Sequence, residues 1–143
     1  MTNLIIGSQF VKKVCPIIDQ AKQTIDIIVF DWRWYALDPA NPAQIFNQSI
    51  IRAVKRGVKV RVITNIVEVI DILKQQGCNV RKPITKNLIH PKVMIIDDKT
   101  IILGSHNYTQ SAFTTNFEVS IVIDEIEQIQ ELKTFFTNLF NHG

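Results

Sequence analysis

Apolar positions along this chain change their spacing repeatedly, and each change predicts the boundary of a helix or a strand. Helical spacing occurs in residues 10–22, 44–56, 65–77 and from 124 onward. Runs typical of strands fill residues 24–32, 58–64, 78–81, 93–97, 99–103 and 117–123. Because the chain has no repeat, low-complexity run or linker, residues 1–143 are predicted to form one α/β domain, a mixed β-sheet flanked by helices.

Individual residues refine the predicted ends of the helices. Pro16 should kink or divide the first helix, since proline lacks the amide hydrogen that a helix interior uses. Asn65 with Glu68, and Asp124 with Glu127, resemble capping pairs. These pairs predict where the third and the last helix begin.

Two elements indicate how the sheet is covered. The strand at 24–32 is apolar on both of its faces, which is typical of an interior strand with helices on both sides. The last helix is predicted to present one apolar side, formed by Ile126, Ile129, Leu132, Phe136 and Phe140.

Composition narrows the class of protein. The 143 residues are 46% hydrophobic and 20% charged, which excludes a disordered chain. A formal charge of +3 and a pI near 9.0 permit a polyanionic partner without requiring one. No apolar run is long enough to cross a bilayer, so an integral membrane protein is excluded. No signal peptide is recognisable, which predicts a cytoplasmic protein, or a periplasmic one if a signal has been removed.

Cysteines and isolated histidines give little support for metal chemistry. Cys15 and Cys78 form no CxxC pair and have apolar neighbours, so we expect buried free thiols rather than a disulfide. His106 and His142 have no partners at ligand spacing. We therefore predict no metal site and expect both histidines to be exposed.

The stretch IHPKVMIIDDKTIILGSHNY, residues 89–108, carries the candidate chemistry. Side chains two apart on an extended chain point the same way, so His90 and Lys92 should share a face, whereas Asp97 has the opposite parity. An imidazole beside an ammonium suits an anion such as phosphate. Ser105 and Asn107 are again two apart and could donate further hydrogen bonds to that anion.

These residues resemble those of a known family. His90, Lys92 and Asp97 match HxKx4D, the signature of the phospholipase D superfamily. Gly104, Ser105 and Asn107 match its GSxN element, and Asn116 with Glu118 matches its NxE element. The chain has a single copy of HxKx4D. In this it resembles the compact single-motif bacterial nucleases and the single-motif mitochondrial and piRNA-pathway members, and differs from the long two-motif lipases.

The resemblance implies a fold, a mechanism and an assembly. It implies a phospholipase D-like domain that hydrolyses phosphodiesters without metal or cofactor, through a covalent phosphohistidine on His90. Two histidines are needed, so it also implies a homodimer whose shared cleft holds both copies of His90 and Lys92. Ser105 and Asn107 would stabilise the transition state, and Glu118 would orient a ring nitrogen of His90. Asp97, Gly104 and Asn116 carry over as motif or structural residues.

Each of these residues also has a simpler interpretation. A single histidine beside an apolar strand is usually structural, but the further matching positions favour function. A serine hydrolase using Ser105 is rejected because the chain has no GxSxG elbow. Gly104 could have a purely structural role in close packing, even if Ser105 takes part in the site.

Residues outside the motif bear on the substrate. RAVKRGVKVR, residues 52–61, is equally well interpreted as a solvated face or as a phosphate-binding surface. Arg81, Lys82 and Lys86 are expected near the cleft entrance. Arg33 and Trp34 could stack on bases, although packing against the core or a dimer interface is slightly favoured.

Three functions remain open. The leading one is a nuclease of low sequence specificity on DNA or RNA, working alone or beside a recognition or motor subunit. The second is a phospholipid hydrolase of cardiolipin type, which would need an exposed apolar surface such as Trp32, Trp34 and Phe113. The third is a nucleic-acid-binding module without turnover.

Overall fold

The computed structural model describes residues 2–142 and contains a seven-stranded sheet and five helices within that range. The strands are β1 (Thr2–Ile6), β2 (Thr24–Val29), β3 (Lys59–Thr64), β4 (Asn79–Arg81), β5 (Val93–Ile96), β6 (Thr100–Gly104) and β7 (Val119–Ile123). The helices are α1 (Gln9–Asp19), α2 (Pro42–Lys55), α3 (Val67–Gln75), α4 (Gln110–Thr114) and α5 (Ile126–Asn141). The predicted class, a mixed sheet flanked by helices, is confirmed.

Strand order explains how distant parts of the chain meet. The sheet runs β1-β7-β6-β5-β2-β3-β4, with β2, β3 and β4 parallel and the other neighbours antiparallel. Ile28 near the end of β2 faces Val93 at the start of β5, and Val93 faces Leu103 near the end of β6. The segments before β5, after β6 and before β7 therefore lie together at one end of these strands.

Helices cover the two faces of the sheet unequally. On one face, α1, α2 and α3 bury the main core, which includes an aromatic group of Phe10, Trp32, Phe46, Tyr108 and Phe113. On the other face, α5 packs Phe136, Phe140 and Ile129 against β2, β3, β5 and β6. Strands β1 and β7 on this second face keep exposed apolar residues.

Several predicted element ends are wrong. β2 stops at Val29 instead of continuing to Trp32, which forms an isolated bridge with Tyr108. Neither predicted capping pair caps its helix: Ile66 and Glu125 occupy the N-cap positions without side-chain hydrogen bonds. The Asn65 amide instead donates to the Ile89 carbonyl at 3.0 Å.

Three smaller differences concern the helices and one short strand. Helix α1 runs through Pro16 without being divided. Ile126 is 58% exposed and does not belong to the buried side of α5. The edge strand β1 and the short helix α4, which is one turn opened by the Thr109 cap, were not predicted.

Both cysteines are buried and unpaired, as predicted. Burial raises the pKa of Cys78 to about 12 and also raises that of Cys15. The prediction that His106 is exposed is wrong, since its side chain lies in the interior. Within residues 2–142, no helix is both long enough and apolar enough to span a membrane.

Candidate active site

His90 and Lys92 lie in contact just before β5, at the end of the strands described above. The Lys92 Nζ atom is 3.1 Å from His90 Nδ1 and 3.3 Å from Nε2. Burial lowers the pKa of Lys92 below its ordinary value of 10.5, and the charge of Glu118 opposes that shift. His90 itself is exposed. An accessible imidazole and a neighbouring cation can thus meet one anion together.

Phe30 supports this pair and was missed by the sequence analysis. Its ring centroid lies 5.0 Å from that of His90, and Lys92 Nζ lies 5.9 Å from the same ring. Phe30 follows β2, which pairs with β5, so the sheet register brings it beneath the histidine. No motif marks this residue in the sequence, because its role depends on strand pairing alone.

Glu118 is held by two polar side chains. Ser105 Oγ donates to Glu118 Oε1 at 2.5 Å, and Asn116 Nδ2 donates to Oε2 at 3.1 Å. Ser105 Oγ also accepts from the Val119 amide at 3.0 Å. Glu118 does not accept the expected hydrogen bond from a His90 ring nitrogen within this chain, because its carboxylate oxygens accept from Ser105 and Asn116 instead. Ser105 is correspondingly bonded to Glu118 and the backbone.

Asn107 links two loops at the same end of these strands. Its Oδ1 accepts from the Asp31 amide at 3.1 Å, and the Tyr108 amide donates to the Asp31 carbonyl at 3.0 Å. The segment after β6 is therefore fastened to the segment after β2. This pairing orients the Asn107 amide relative to the His90 loop, which lies between the two strands.

Gly104 allows β6 and β7 to approach closely. A Cβ atom at this position would lie 2.4 Å from Ser120 Cα and 2.4 Å from the Val119 carbonyl oxygen. These are backbone atoms, which cannot move aside as a flexible side chain would. The close approach places Ser105 directly against the residues that follow Glu118.

Asp97 lies at the far end of β5 from His90. Its carboxylate accepts hydrogen bonds from the amides of Lys22, Gln23 and Thr24, and its own φ is +53°. Burial raises the pKa of Asp97, but these amide hydrogen bonds outweigh burial and keep it below 3.8. Asp97 thus fastens the β5–β6 turn to the start of β2.

We expect Asp97 to make stability depend on acid pH. A carboxyl whose pKa is lower folded than unfolded stabilises the fold above the unfolded pKa and loses that contribution as pH falls through the folded value. Urea unfolding should therefore show stability declining between about pH 5 and about pH 3, with a smaller decline in Asp97→Asn. Asparagine tolerates the same positive φ, which makes it the matched variant. Equal declines in both proteins would contradict this role.

The residues predicted to bind substrate do not form one group in the structure. Arg81 donates to the Phe140 carbonyl at 2.8 Å and stacks 4.3 Å above that ring, so it secures α5. Arg33 is paired with Asp31 at 2.6 Å, and Trp34 is half-buried against the core. These two border a separate cavity of about 240 Å³. Lys82 and Lys86 are exposed on the loop before His90.

The basic stretch of residues 52–61 is largely structural. Arg52 pairs with Asp19, Arg56 donates to the Ile18 and Ala21 carbonyls, and Arg61 pairs with Asp26. Its exposed lysines are Lys55, the last residue of α2, and Lys59, the first residue of β3, and both lie at the end of the sheet remote from His90. This stretch therefore does not line the candidate site.

An apolar cleft opens beside His90. It has a volume of about 540 Å³ and includes Leu88, Pro91, Phe135 and Leu139 in its wall. Leu88 is 70% exposed and Phe135 is 49% exposed. By contrast, Trp32 and Phe113, the expected apolar access surface, are buried, so that expectation is wrong. Phe135 escaped the sequence analysis because it flanks the apolar stripe of a helix far along the chain.

The sheet topology, with an imidazole and an ammonium in contact at one end of its strands, defines a phospholipase D-like domain. A family model described as "Cardiolipin synthase, PLD-like domain" matches residues 14–140. The chain belongs to the phospholipase D superfamily, whose members are phosphodiesterases and nucleases. Among residues 2–142, no three His, Cys, Asp or Glu side chains cluster as a metal site would require.

Known relatives include a probable phospholipase D and a cardiolipin hydrolase. A probable phospholipase D from Caenorhabditis elegans is 31% identical over 123 residues, which are 76% of this chain and 22% of that protein. A mitochondrial cardiolipin hydrolase from Chlamydomonas reinhardtii is 29% identical over 134 residues, 87% of this chain and 54% of that protein. The chain therefore spans only about a fifth to a half of the length of these curated relatives.

Solved structures of compact proteins share the whole fold. Nuc from Salmonella typhimurium, a phospholipase D family member, superposes with a TM-score of 0.84 at 22% identity, over 100% of this chain and 97% of that one. NucT from Helicobacter pylori gives a TM-score of 0.82 at 22% identity, over 99% and 96%. The architecture of this chain is thus that of a compact phospholipase D-like protein.

Proposed function

We propose that this chain is a catalytic domain that cleaves phosphodiester bonds of DNA or RNA without metal and with low sequence specificity. The observation that carries the proposal is the contact between the exposed His90 ring and Lys92 Nζ, at 3.1 Å. Lys92 supplies positive charge where a phosphate must bind, and His90 supplies a nitrogen that can attack it. The mild net charge of +3 is compatible with a polyanionic substrate.

The proposed reaction has two displacements at phosphorus. A ring nitrogen of one His90 forms a bond to phosphorus while the bond to the leaving oxygen breaks, and a second His90 gives that oxygen a proton. The second imidazole then removes a proton from water, which attacks phosphorus and releases the first His90. Lys92 and the side-chain amide of Asn107 would stabilise the additional negative charge, while the Ser105 hydroxyl donates to Glu118.

A second His90 must come from a second copy, so we propose a homodimer with a shared cleft. Helix α5 packs against β2, β3, β5 and β6 on its face of the sheet and reaches Ile123 at the end of β7. Beyond it, Leu4, Ile6 and Val119 are 53%, 54% and 54% exposed on β1 and β7. This open apolar half-sheet includes Val119, the residue that follows Glu118, so a two-fold contact there would bring two sites together.

The free edge of strand β1 is a poorer docking surface than this face. Along β1, the Ile6 amide donates to Gln9 Oε1 at 3.0 Å, and the Leu4 carbonyl accepts from Lys13 Nζ at 2.8 Å. Side chains thus occupy backbone groups that another strand would need. We therefore place the partner against the face of the sheet.

A charge on the open half-sheet should separate the dimer. Leu4→Lys would place an ammonium in the contact, whereas Val67→Lys alters an equally exposed residue on α3, 53% in both cases. Sedimentation equilibrium should show a shift to monomer, by tenfold or more in dissociation constant, roughly 1.4 kcal/mol, for Leu4→Lys only. A monomeric wild type, or equal behaviour of both variants, would contradict this interface.

The cleft beside His90 favours one alternative substrate. Its wall of Leu88, Phe135 and Leu139 could accept the glycerol or acyl portion of a phospholipid. Relatives named mitochondrial cardiolipin hydrolase, from mouse and Chlamydomonas reinhardtii, make this the second candidate.

One assay separates the candidates. The protein is incubated in EDTA with single- and double-stranded DNA, RNA, and phosphatidylcholine vesicles containing cardiolipin, with Lys92→Gln as the impaired control. Cleavage of nucleic acid alone supports the nuclease, and hydrolysis of cardiolipin alone supports the alternative. A folded dimer that leaves every substrate intact would refute both and indicate a binding module.

A further inference from the structure

His106 stands between Ser105 and Asn107, but its ring turns inward and is 1% exposed. Its Nε2 atom lies 2.9 Å from the Gly7 carbonyl oxygen, and its Nδ1 atom lies 2.7 Å from Ser120 Oγ. A carbonyl can only accept, so Nε2 carries a hydrogen. When the ring is neutral, Nδ1 has no hydrogen and accepts from the Ser120 hydroxyl, so both ring nitrogens are used.

These two hydrogen bonds continue to Glu118. The Gly7 amide donates to the Glu118 backbone carbonyl at 2.8 Å, while Gly7 itself is held by His106. Ser120, the other partner of the ring, lies two residues beyond Glu118 on β7. One imidazole thus connects the turn after β1, the strand that follows Glu118 and the segment that bears Ser105 and Asn107.

The ring is also fixed by packing. Its centroid lies 4.7 Å from that of Phe10 and 6.3 Å from that of Phe113, both in the main core. Burial lowers the pKa of His106 below 6.5, and the Gly7 hydrogen bond and the charge of Glu118 oppose the shift. The low pKa agrees with a ring that stays neutral and accepts at Nδ1.

We propose that His106 is a positioning residue of the phosphodiesterase site: its buried neutral imidazole holds Ser105, Asn107 and Glu118 in their mutual arrangement. This inference rests on the proposed function. It assigns the three residues to one unit. Ser105 and Asn107 are joined to His106 by peptide bonds, and the Glu118 backbone carbonyl accepts from Gly7, whose own carbonyl accepts from the His106 ring.

Two substitutions at His106 test the role. His106→Gln keeps a donor and an acceptor on a side chain of similar reach, whereas His106→Phe keeps ring packing and loses both hydrogen bonds. Exposed His142→Gln serves as control. At a temperature where all proteins are folded, His106→Phe should lower kcat about 10- to 100-fold with little change in KM, because misplaced groups weaken the transition state. His106→Gln should recover most of that loss.

A measurement independent of activity accompanies the kinetics. Long-range ¹H–¹⁵N spectra should show His106 with hydrogen on Nε2, and His106→Phe should shift the amide signals of Ser105, Asn107 and Glu118. If no substrate is cleaved, these shifts still decide the inference while the proposed function fails separately. If His106→Phe does not fold, the tautomer and a kcat of His106→Gln close to that of the wild type decide it. Unchanged shifts and unchanged kcat in a folded His106→Phe would overturn the proposal.

Discussion

Replacing His90 with alanine is expected to reduce phosphodiester cleavage by about 10⁴-fold or more, because the proposed dimer would lose both its nucleophile and its leaving-group acid. The fold should tolerate the change, since His90 is exposed and the Phe30 ring beneath it is only half-buried. Lys92 and the cleft remain, so substrate should still bind. The expected signature is a collapse of kcat with a modest change in KM.

Single-turnover kinetics in EDTA would measure this loss, with His142→Ala as a control for an exposed histidine elsewhere. Intact-mass spectrometry of quenched wild-type reactions should reveal a covalent adduct in which the phosphorus bound to the protein still carries the retained part of the substrate, and His90→Ala should never form it. Substantial cleavage by His90→Ala, or an adduct mapped to another side chain, would disprove the proposed chemistry.

Replacing Asp26 with alanine is expected to have the largest effect on stability. This carboxylate is fully buried in β2 and accepts from Arg61 Nε at 2.8 Å and from Lys133 Nζ at 2.6 Å. Arg61 also lies 4.9 Å above the Phe136 ring, which fixes α5 to the sheet. Removal would leave two half-buried cations without this partner and loosen the helix that supplies Phe135 to the cleft.

We expect Asp26→Ala to lower the free energy of unfolding by about 3 kcal/mol, the lower end for breaking a buried ion pair, since Arg61 and Lys133 are 28% and 26% exposed. Asp19→Ala removes the pair with Arg52 on the surface and should cost at most about 1 kcal/mol. Urea unfolding followed by circular dichroism would compare them. Equal losses would show that Asp26 does not anchor α5.

Much of the fold could be predicted because local pattern and final structure agree. The strands β2, β3, β5 and β6 and the helix α2 all have strong periodicity and clear ends. Errors occurred where tertiary contacts override local preference. Asn65 resembles a cap but donates to Ile89 across a loop, and Trp32 resembles an exposed aromatic but donates to Asn47 Oδ1 at 2.7 Å inside the core.

The candidate site divides in the same way. His90 and Lys92 meet because residues two apart on an extended segment share a face, which is a property of the chain itself. The arrangement of Glu118 could not be predicted, since Ser105 and Asn116 reach its carboxylate only once β6 and β7 pair across Gly104. The same pairing explains the burial of His106.

The sequence alone therefore determined the order of helices and strands, the family resemblance and the identity of the His90–Lys92 pair, because each depends on residues near one another along the chain. Only the tertiary structure decided which side chains hold Glu118, which basic residues are used in ion pairs, and that α5 leaves half of one sheet face open. Those features depend on strand order and packing between distant segments, for which local spacing carries no information.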